Sequence, residues 1–145
     1  MKATLFRGRV AVVLLVLVVL VPLLVWQRTV ARRQGRSAQC GNNMVAIVSA
    51  ARLWSNDNGD HFPRDFLVMS NELISPRILV CPADKSRHRM TQWDGFTASQ
   101  SSYEILAPGV AESDTQTVYL RCQIHGHLGY VDGTVFDGVG RRRKL

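Results

Sequence analysis

The feature that most constrains this chain is an uncharged apolar run from Val10 to Trp26, interrupted only by Pro22. As a helix, its 17 residues would rise about 25 Å, close to the thickness of about 30 Å of a bilayer's hydrocarbon core. Arg9 and Arg28 flank the run, and cations at such positions can reach the membrane interface. The sequence therefore predicts a retained transmembrane helix. A cleaved signal peptide and a buried core helix are the alternatives.

The positive charge of the chain lies at its two ends. The 145 residues include 18 Lys and Arg and 11 Asp and Glu, which gives a net charge of +7. Residues 1–36 hold seven basic and no acidic residues, and the tail 141–145 holds four basic residues. The part in between is mildly acidic and has no basic face interleaved with aromatic residues. We therefore expect no nucleic-acid partner.

A helical stripe of apolar residues follows the apolar run. Its members recur at spacings of three and four and are Cys40, Met44, Ile47, Val48, Ala51 and Trp54. This period predicts that one long helix continues through residues 27–55 and packs its stripe on a small domain. The turn-forming residues 56–60 should end the helix; a calcium loop at these residues is the alternative.

Strand signals occupy the last third of the chain. Residues 102–106 and 117–122 have the character of β-strands, and Asp132-Gly133 lies between two further strand-like runs, as in a two-residue hairpin with a type I′ turn. The predicted fold is α+β, with a long N-terminal helix, transmembrane in its first half and amphipathic in its second, packed on a small antiparallel sheet. The predicted divisions are a basic lead at 1–9, the span at 10–26, the helix continuation at 27–55, a globular domain at 56–140 and a basic tail at 141–145.

Several short motifs together resemble the pilin-like proteins of type II secretion and type IV pilus systems, in the form found in planctomycetes and verrucomicrobia. The motifs, in order along the chain, are Cys40–Met44 after the apolar helix, Trp54–Pro63, Cys81–Asp84, Ser102-Tyr103, His125-Gly126 and Asp132-Gly133. The resemblance implies a pseudopilin-like fold and marks His125, Gly126, Asp132 and Gly133 as the family's C-terminal His…Asp-Gly motif. It also implies an amino terminus in the cytoplasm and a periplasmic, extracytoplasmic domain.

From this resemblance we expect a structural or assembly protein, single-pass in the inner membrane, with the lipid bilayer, other pilin-like subunits and secretion-system components as partners. The alternative is a membrane-tethered binding module that does not polymerise, which Val13 favours because pilin-like proteins carry Glu at this position. No hydrolase, metalloprotease or phosphate-binding motif occurs in the chain. We therefore expect no enzymatic activity and no cofactor.

The three cysteines allow two different sites. In an oxidising compartment, Cys81 and Cys122 are predicted to form a disulfide, which leaves Cys40 as a small apolar residue of the helix stripe. The alternative is a tetrahedral zinc site made of Cys81, Cys122, His125 and His127, because two thiolates and two imidazoles are ligands that zinc accepts. A disulfide would consume two of these ligands, so the two predictions exclude each other.

Overall fold

The computed structural model describes the backbone of residues 2–138 and 142–143 and the side chains of residues 16–138. One long helix, α1 (Lys2–Asp57), precedes a sheet of short antiparallel strands. Contacts between residues divide the chain into a first unit that ends at Gly35 and a second that begins at Arg36. The predicted α+β class is confirmed.

The predicted transmembrane segment is not supported. Residues 10–15 of the predicted span and the basic lead 1–9 lie outside the described side chains. Within the described part of the chain, no helix combines the length and the apolar character that crossing a membrane requires. The predictions of a span at 10–26 and of a single-pass location in the inner membrane are therefore wrong.

The second half of α1 carries the predicted apolar stripe into the core. The stripe residues Cys40, Met44, Ile47, Val48 and Ala51 are fully buried. The helix ends two residues later than predicted, where the N–H of Asn58 donates to the carbonyl of Ser55 at 3.0 Å and Gly59 takes a φ of +71°. A left-handed glycine just past the last turn is a common way to end a helix.

A largely irregular segment connects α1 to the sheet. It contains a short helix, α2 (Ser70–Leu73), and two 3₁₀ turns, Pro76–Leu79 and Ala98–Gln100. The N–H of Arg77 donates to the hydroxyl of Ser75 at 3.3 Å, which caps the first 3₁₀ turn. This turn leads directly into Cys81, so its geometry decides where that thiol is placed.

In the described part of the chain, five short strands form the sheet in the order of the sequence. They are β1 (Tyr103–Ile105), β2 (Val118–Cys122), β3 (Leu128–Tyr130), β4 (Val135–Phe136) and β5 (Arg142–Arg143), and each pairs antiparallel with the next. Tyr103 of β1 lies opposite Cys122 of β2. The strands predicted at 102–106 and 117–122 are confirmed. Of the predicted basic tail 141–145, only the backbone of β5 is described.

The sheet packs closely on α1 at Gly129 of β3. A Cβ atom at this glycine would lie 3.3 Å from a methyl group of Val48 and 3.4 Å from the end of Met44. A side chain there would push the strand off the helix, so the small residue allows the sheet to reach the apolar stripe. On the neighbouring strand β2, the ring of Tyr119 meets the ring of Phe62 edge to face, with the ring centroids 4.8 Å apart.

The β3–β4 hairpin is present, but its turn differs from the predicted type I′ turn. The N–H of Gly133 donates to the carbonyl of Tyr130 at 3.0 Å, and the N–H of Tyr130 donates to the carbonyl of Thr134 at 2.9 Å. Gly133 has a φ of +86°, whereas Asp132 is not among the residues with positive φ. A type I′ turn needs positive φ at both central residues, so the connection is a type I turn followed by a left-handed glycine bulge.

We predict that Gly133→Val destabilises the second unit by about 1–3 kcal/mol, because a β-branched residue is strained at positive φ. Gly133→Asn is the matched control, since asparagine tolerates the left-handed conformation far better. The measurement is urea unfolding of both variants and the parent chain. Equal midpoints for the valine and asparagine variants would contradict the turn geometry.

Candidate metal centre

Three cysteines and one histidine converge in the second unit. The ligand atoms of Cys40, Cys81, Cys122 and His125 all lie within 4.8 Å of one another, the one such group of metal-ligating character found among the described residues. The sulfur atoms of Cys40 and Cys122 are 3.4 Å apart, and the sulfur of Cys81 is 3.2 Å from Nδ1 of His125. All three cysteines are fully buried free thiols.

Each ligand comes from a different kind of structure. Cys40 belongs to the buried stripe of α1, Cys81 follows the 3₁₀ turn Pro76–Leu79, and Cys122 ends β2. His125 lies in the turn that connects β2 to β3. The four side chains thus bring together a helix, an irregular loop, a strand and a turn, and their separation along the chain reaches 85 positions between Cys40 and His125.

The turn after β2 directs the backbone N–H of His125 toward a sulfur atom and closes with a second hydrogen bond to a carbonyl. The N–H of His125 donates to the sulfur of Cys122 at 3.4 Å, and the N–H of Gly126 donates to the carbonyl of Cys122 at 2.9 Å. Gly126 has a φ of +67°, which glycine adopts without strain. This tight Cys-x-x-His-Gly turn supplies a hydrogen bond that favours a thiolate over a thiol at Cys122.

The loop at Cys81 is fixed by a buried carboxylate. The N–H of Cys81 donates to the hydroxyl of Ser102 at 3.0 Å, and that hydroxyl donates to Oδ2 of Asp84 at 2.7 Å. Asp84 also accepts from the guanidinium of Arg87 at 2.8 Å and from the hydroxyl of Ser86 at 2.6 Å. The side chain of Asp84 is only 1% exposed, so this network holds the backbone at Cys81 in place from inside the fold.

The electrostatics of the cluster favour negative charge on Cys122. The thiol of Cys40 donates toward the sulfur of Cys122, which lowers the pKa of Cys122 and raises the pKa of Cys40; the backbone N–H of His125 lowers the pKa of Cys122 further. The hydroxyl of Tyr103 lies 3.5 Å from the sulfur of Cys40 as a donor. Burial raises the pKa of Tyr103, so this hydroxyl keeps its proton and remains a donor.

The predicted site residues are only partly brought together. Cys81, Cys122 and His125 of the alternative zinc set are in the cluster, but its fourth member is Cys40 rather than His127. Reasoning from the sequence assigned Cys40 to the core because it fits the helix stripe. The available signal was the odd number of cysteines, which leaves one thiol without a role in any single disulfide.

His127 is occupied by other contacts. Its Nδ1 accepts from the N–H of Gly138 at 2.8 Å, and its Nε2 lies 3.1 Å from the hydroxyl and 3.3 Å from the carbonyl of Ser37. Its ring stacks on that of His125 with centroids 5.0 Å apart and an interplanar angle of 9°. His127 therefore supports the neighbouring ring and does not join the ligand set.

Cys81 and Cys122, the predicted disulfide pair, lie in the cluster, whereas Asp132 and Gly133 of the predicted motif do not. The three thiols are free in this structure, so no Cys81–Cys122 disulfide is formed in it, and that pairing stays a prediction. Asp132 and Gly133 lie in the β3–β4 turn, where both carboxylate oxygens of Asp132 accept from Thr134, at 2.7 Å from its N–H and 2.8 Å from its hydroxyl. These two residues shape the hairpin, and they are not part of the cluster.

The cluster has the dimensions of a mononuclear tetrahedral site. Bonds of about 2.3 Å to sulfur and about 2.0–2.1 Å to nitrogen place sulfurs about 3.8 Å from one another and about 3.6 Å from the nitrogen. The ligand atoms here lie within 4.8 Å of one another, so only small side-chain movements separate this arrangement from full coordination.

Comparison with known proteins gives no match: no family model, no curated protein and no solved structure matches this chain. The resemblance to pilin-like proteins therefore stays a prediction.

We predict that Asp84→Asn destabilises the second unit at neutral pH by about 1–3 kcal/mol, because an amide replaces a buried carboxylate that accepts several hydrogen bonds. Burial alone would raise the pKa of Asp84, but hydrogen bonds from Ser86, Ser102 and Arg87 lower it below its usual value. A carboxyl group whose pKa is lowered in the folded state stabilises that state when the pH is above its pKa in the unfolded chain, about 3.9. This stabilisation is lost as the pH falls below that value.

The difference between Asp84→Asn and the parent chain should therefore shrink below about pH 4, because the carboxylate of the unfolded parent chain gains a proton there while the folded one still keeps its charge. Urea unfolding of Asp84→Asn and of the parent chain between pH 3 and 7 measures this difference in stability. Asp94→Asn is the control variant, because Asp94 is exposed. A constant difference across that range would show that the charge of Asp84 is not what the network needs.

Proposed function

We propose that this chain is a metal-binding module and that its ion is a single Zn²⁺ held by Cys40, Cys81, Cys122 and His125. The observation that carries the proposal is the convergence of four ligand atoms within 4.8 Å. A buried cysteine alone is a small apolar residue, but three buried thiols around one imidazole nitrogen form a complete tetrahedral ligand set.

The ligand set favours zinc over other ions. Calcium and magnesium prefer oxygen ligands, and this cluster contains none. Soft thiolates with one imidazole suit Zn²⁺, whereas an iron–sulfur cluster spreads its ligands over several metal atoms and needs more room between them. The short distances between the ligand atoms support a mononuclear ion.

The arrangement supports a structural role for the ion. Four protein ligands fill a tetrahedral zinc, whereas catalytic zinc sites keep one position open for water or substrate. The ligands come from α1, the loop at Cys81 and the turn after β2, so one ion would join the three parts of the second unit. A metal that binds only the folded state stabilises it by mass action.

We predict that the reduced chain binds one Zn²⁺ per molecule and that removing the ion lowers its melting temperature. At a zinc concentration of about 1,000 times the dissociation constant, the ion contributes about 4 kcal/mol. Cys40→Ser should abolish stoichiometric binding, because it removes one of the three sulfur ligands. His88→Ala is the matched control, since His88 is exposed and lies outside the cluster.

The measurements are metal analysis, thermal unfolding with and without chelator, and thiol labelling after denaturation. One bound zinc and three free thiols are expected for the parent chain. One free thiol before reduction and three after it, with no bound metal, would overturn the metal site in favour of the Cys81–Cys122 disulfide.

A second candidate function is the predicted role as a subunit of a secretion or pilus-like assembly. The observation that favours it is the architecture, since one long helix continues into a domain with a small antiparallel sheet. This role and the metal site are compatible, because the ion would stabilise the domain that the assembly uses.

The assembly role predicts that the chain co-purifies, in both directions, with pilin-like subunits of the same cell after mild cross-linking. The matched control is a chain that begins at Arg36 and therefore lacks the first unit. Equal recovery of the partners with the control would argue against assembly through the first unit.

A further inference from the structure

The four ligands of the cluster differ in their access to solvent. Cys40, Cys81 and Cys122 are fully buried, whereas His125 is only partly buried. A ligand or a competing donor that approaches the ion from solvent would therefore meet His125 before any of the sulfur atoms.

The ring of His125 is also the least constrained of the ligand groups. Its Nδ1 faces the sulfur of Cys81, and no hydrogen bond from its Nε2 is found to any residue of the described part of the chain. Histidines that bind a metal usually donate the second ring N–H to a carboxylate or carbonyl, which fixes the ring. Among the residues that the structure describes, Nε2 of His125 has no such restraint, and the ring stacks on that of His127.

The backbone beneath this ring is fixed independently of it. The N–H groups of His125 and Gly126 are bonded to Cys122, and Gly138 packs against the carbonyl of His125 so closely that a Cβ there would overlap it. The imidazole can therefore turn about its own side-chain bonds without loss of these backbone contacts. Release of the ring leaves the turn and the three sulfur ligands in place.

Building on the metal site proposed above, we propose that His125 is an exchangeable ligand and that a small external thiolate or imidazole takes its place on the metal. In the exchange, the bond from the metal to Nδ1 breaks and a bond to the incoming sulfur or nitrogen forms. An incoming thiol gives up its proton to the solvent or to the released imidazole. No electrons are transferred, and the three cysteines stay bound.

The proposal assigns the site a ligand class and a direction of approach. A small soft donor reaches the ion from the surface at His125, while the sulfur side is closed by α1 and by Tyr103. The three sulfurs would then hold the ion while the fourth position binds the external donor in place of His125.

The test uses Co²⁺ as a spectroscopic probe, because its absorption reports the number of sulfur and nitrogen ligands. His125→Ala should still bind Co²⁺, with lower affinity than the parent chain, and added imidazole should raise that affinity by about tenfold or more. Even the loss of an outer partner of a metal ligand changes affinity by about 10–100-fold, so a restored direct ligand should reach at least this range. Cys81→Ala, which opens no route from solvent, should not be rescued by imidazole or by 2-mercaptoethanol.

A second measurement uses the unmodified chain and so does not depend on whether a variant folds. The rate of Co²⁺ transfer to a chromophoric chelator should rise with the concentration of imidazole or 2-mercaptoethanol. A rate independent of both, or a His125→Ala variant that imidazole leaves unchanged, would overturn the exchange. If neither the parent chain nor His88→Ala binds Co²⁺ or Zn²⁺, the proposed metal site itself fails, which is a distinct result.

Discussion

The second unit is organised around the meeting of two buried thiols that are distant in sequence, Cys40 on α1 and Cys122 at the end of β2. Their sulfur atoms are 3.4 Å apart, and the apolar stripe of α1 continues from this point along the sheet to Gly129. Two thiols in contact contribute little more than two small apolar side chains would. The contact matters more because Cys81 and His125 reach the same point and because the backbone N–H of His125 donates to the sulfur of Cys122.

Charge is the energetic problem that such a cluster has to solve. Three thiolates around a divalent cation leave one negative charge in a buried place, and a buried charge is costly without hydrogen-bond donors. The fold supplies donors from two sides, the N–H of His125 on Cys122 and the hydroxyl of Tyr103 on Cys40. Tyr103 lies opposite Cys122 in the β1–β2 register, so the pairing of two strands places this donor where the charge would be.

Local patterns in the sequence predicted the elements and, as an alternative, three residues of the cluster, Cys81, Cys122 and His125, but not Cys40. The spacing of apolar residues predicted the buried face of α1, and Asp132-Gly133 predicted the β3–β4 hairpin, because both signals come from neighbouring residues. Periodicity cannot distinguish Cys40 as a core residue from Cys40 as a ligand, since both roles need the same buried position. The convergence of α1 with the loop at Cys81 is a long-range contact, and no short-range signal encodes it.

The membrane prediction rested on the apolar character of residues 10–26 alone, and no helix in the described part of the chain is long and apolar enough to cross a membrane. The type of the β3–β4 turn was also missed, because Asp-Gly is compatible with both a type I′ turn and a type I turn with a bulge. Only the sign of φ at Asp132 separates the two.

The choice between His125 and His127 as a ligand follows from the tautomer of His127. Because its Nδ1 accepts the N–H of Gly138, its proton lies on Nε2 and can be donated to the carbonyl of Ser37. Both nitrogens are thus occupied, and the ring joins α1 to the chain after β4. His125, two residues earlier, keeps Nδ1 directed at Cys81. The ring of His127 is thus held in place, and the more exposed ring of His125 can move along its flat face when it leaves the metal and when it returns.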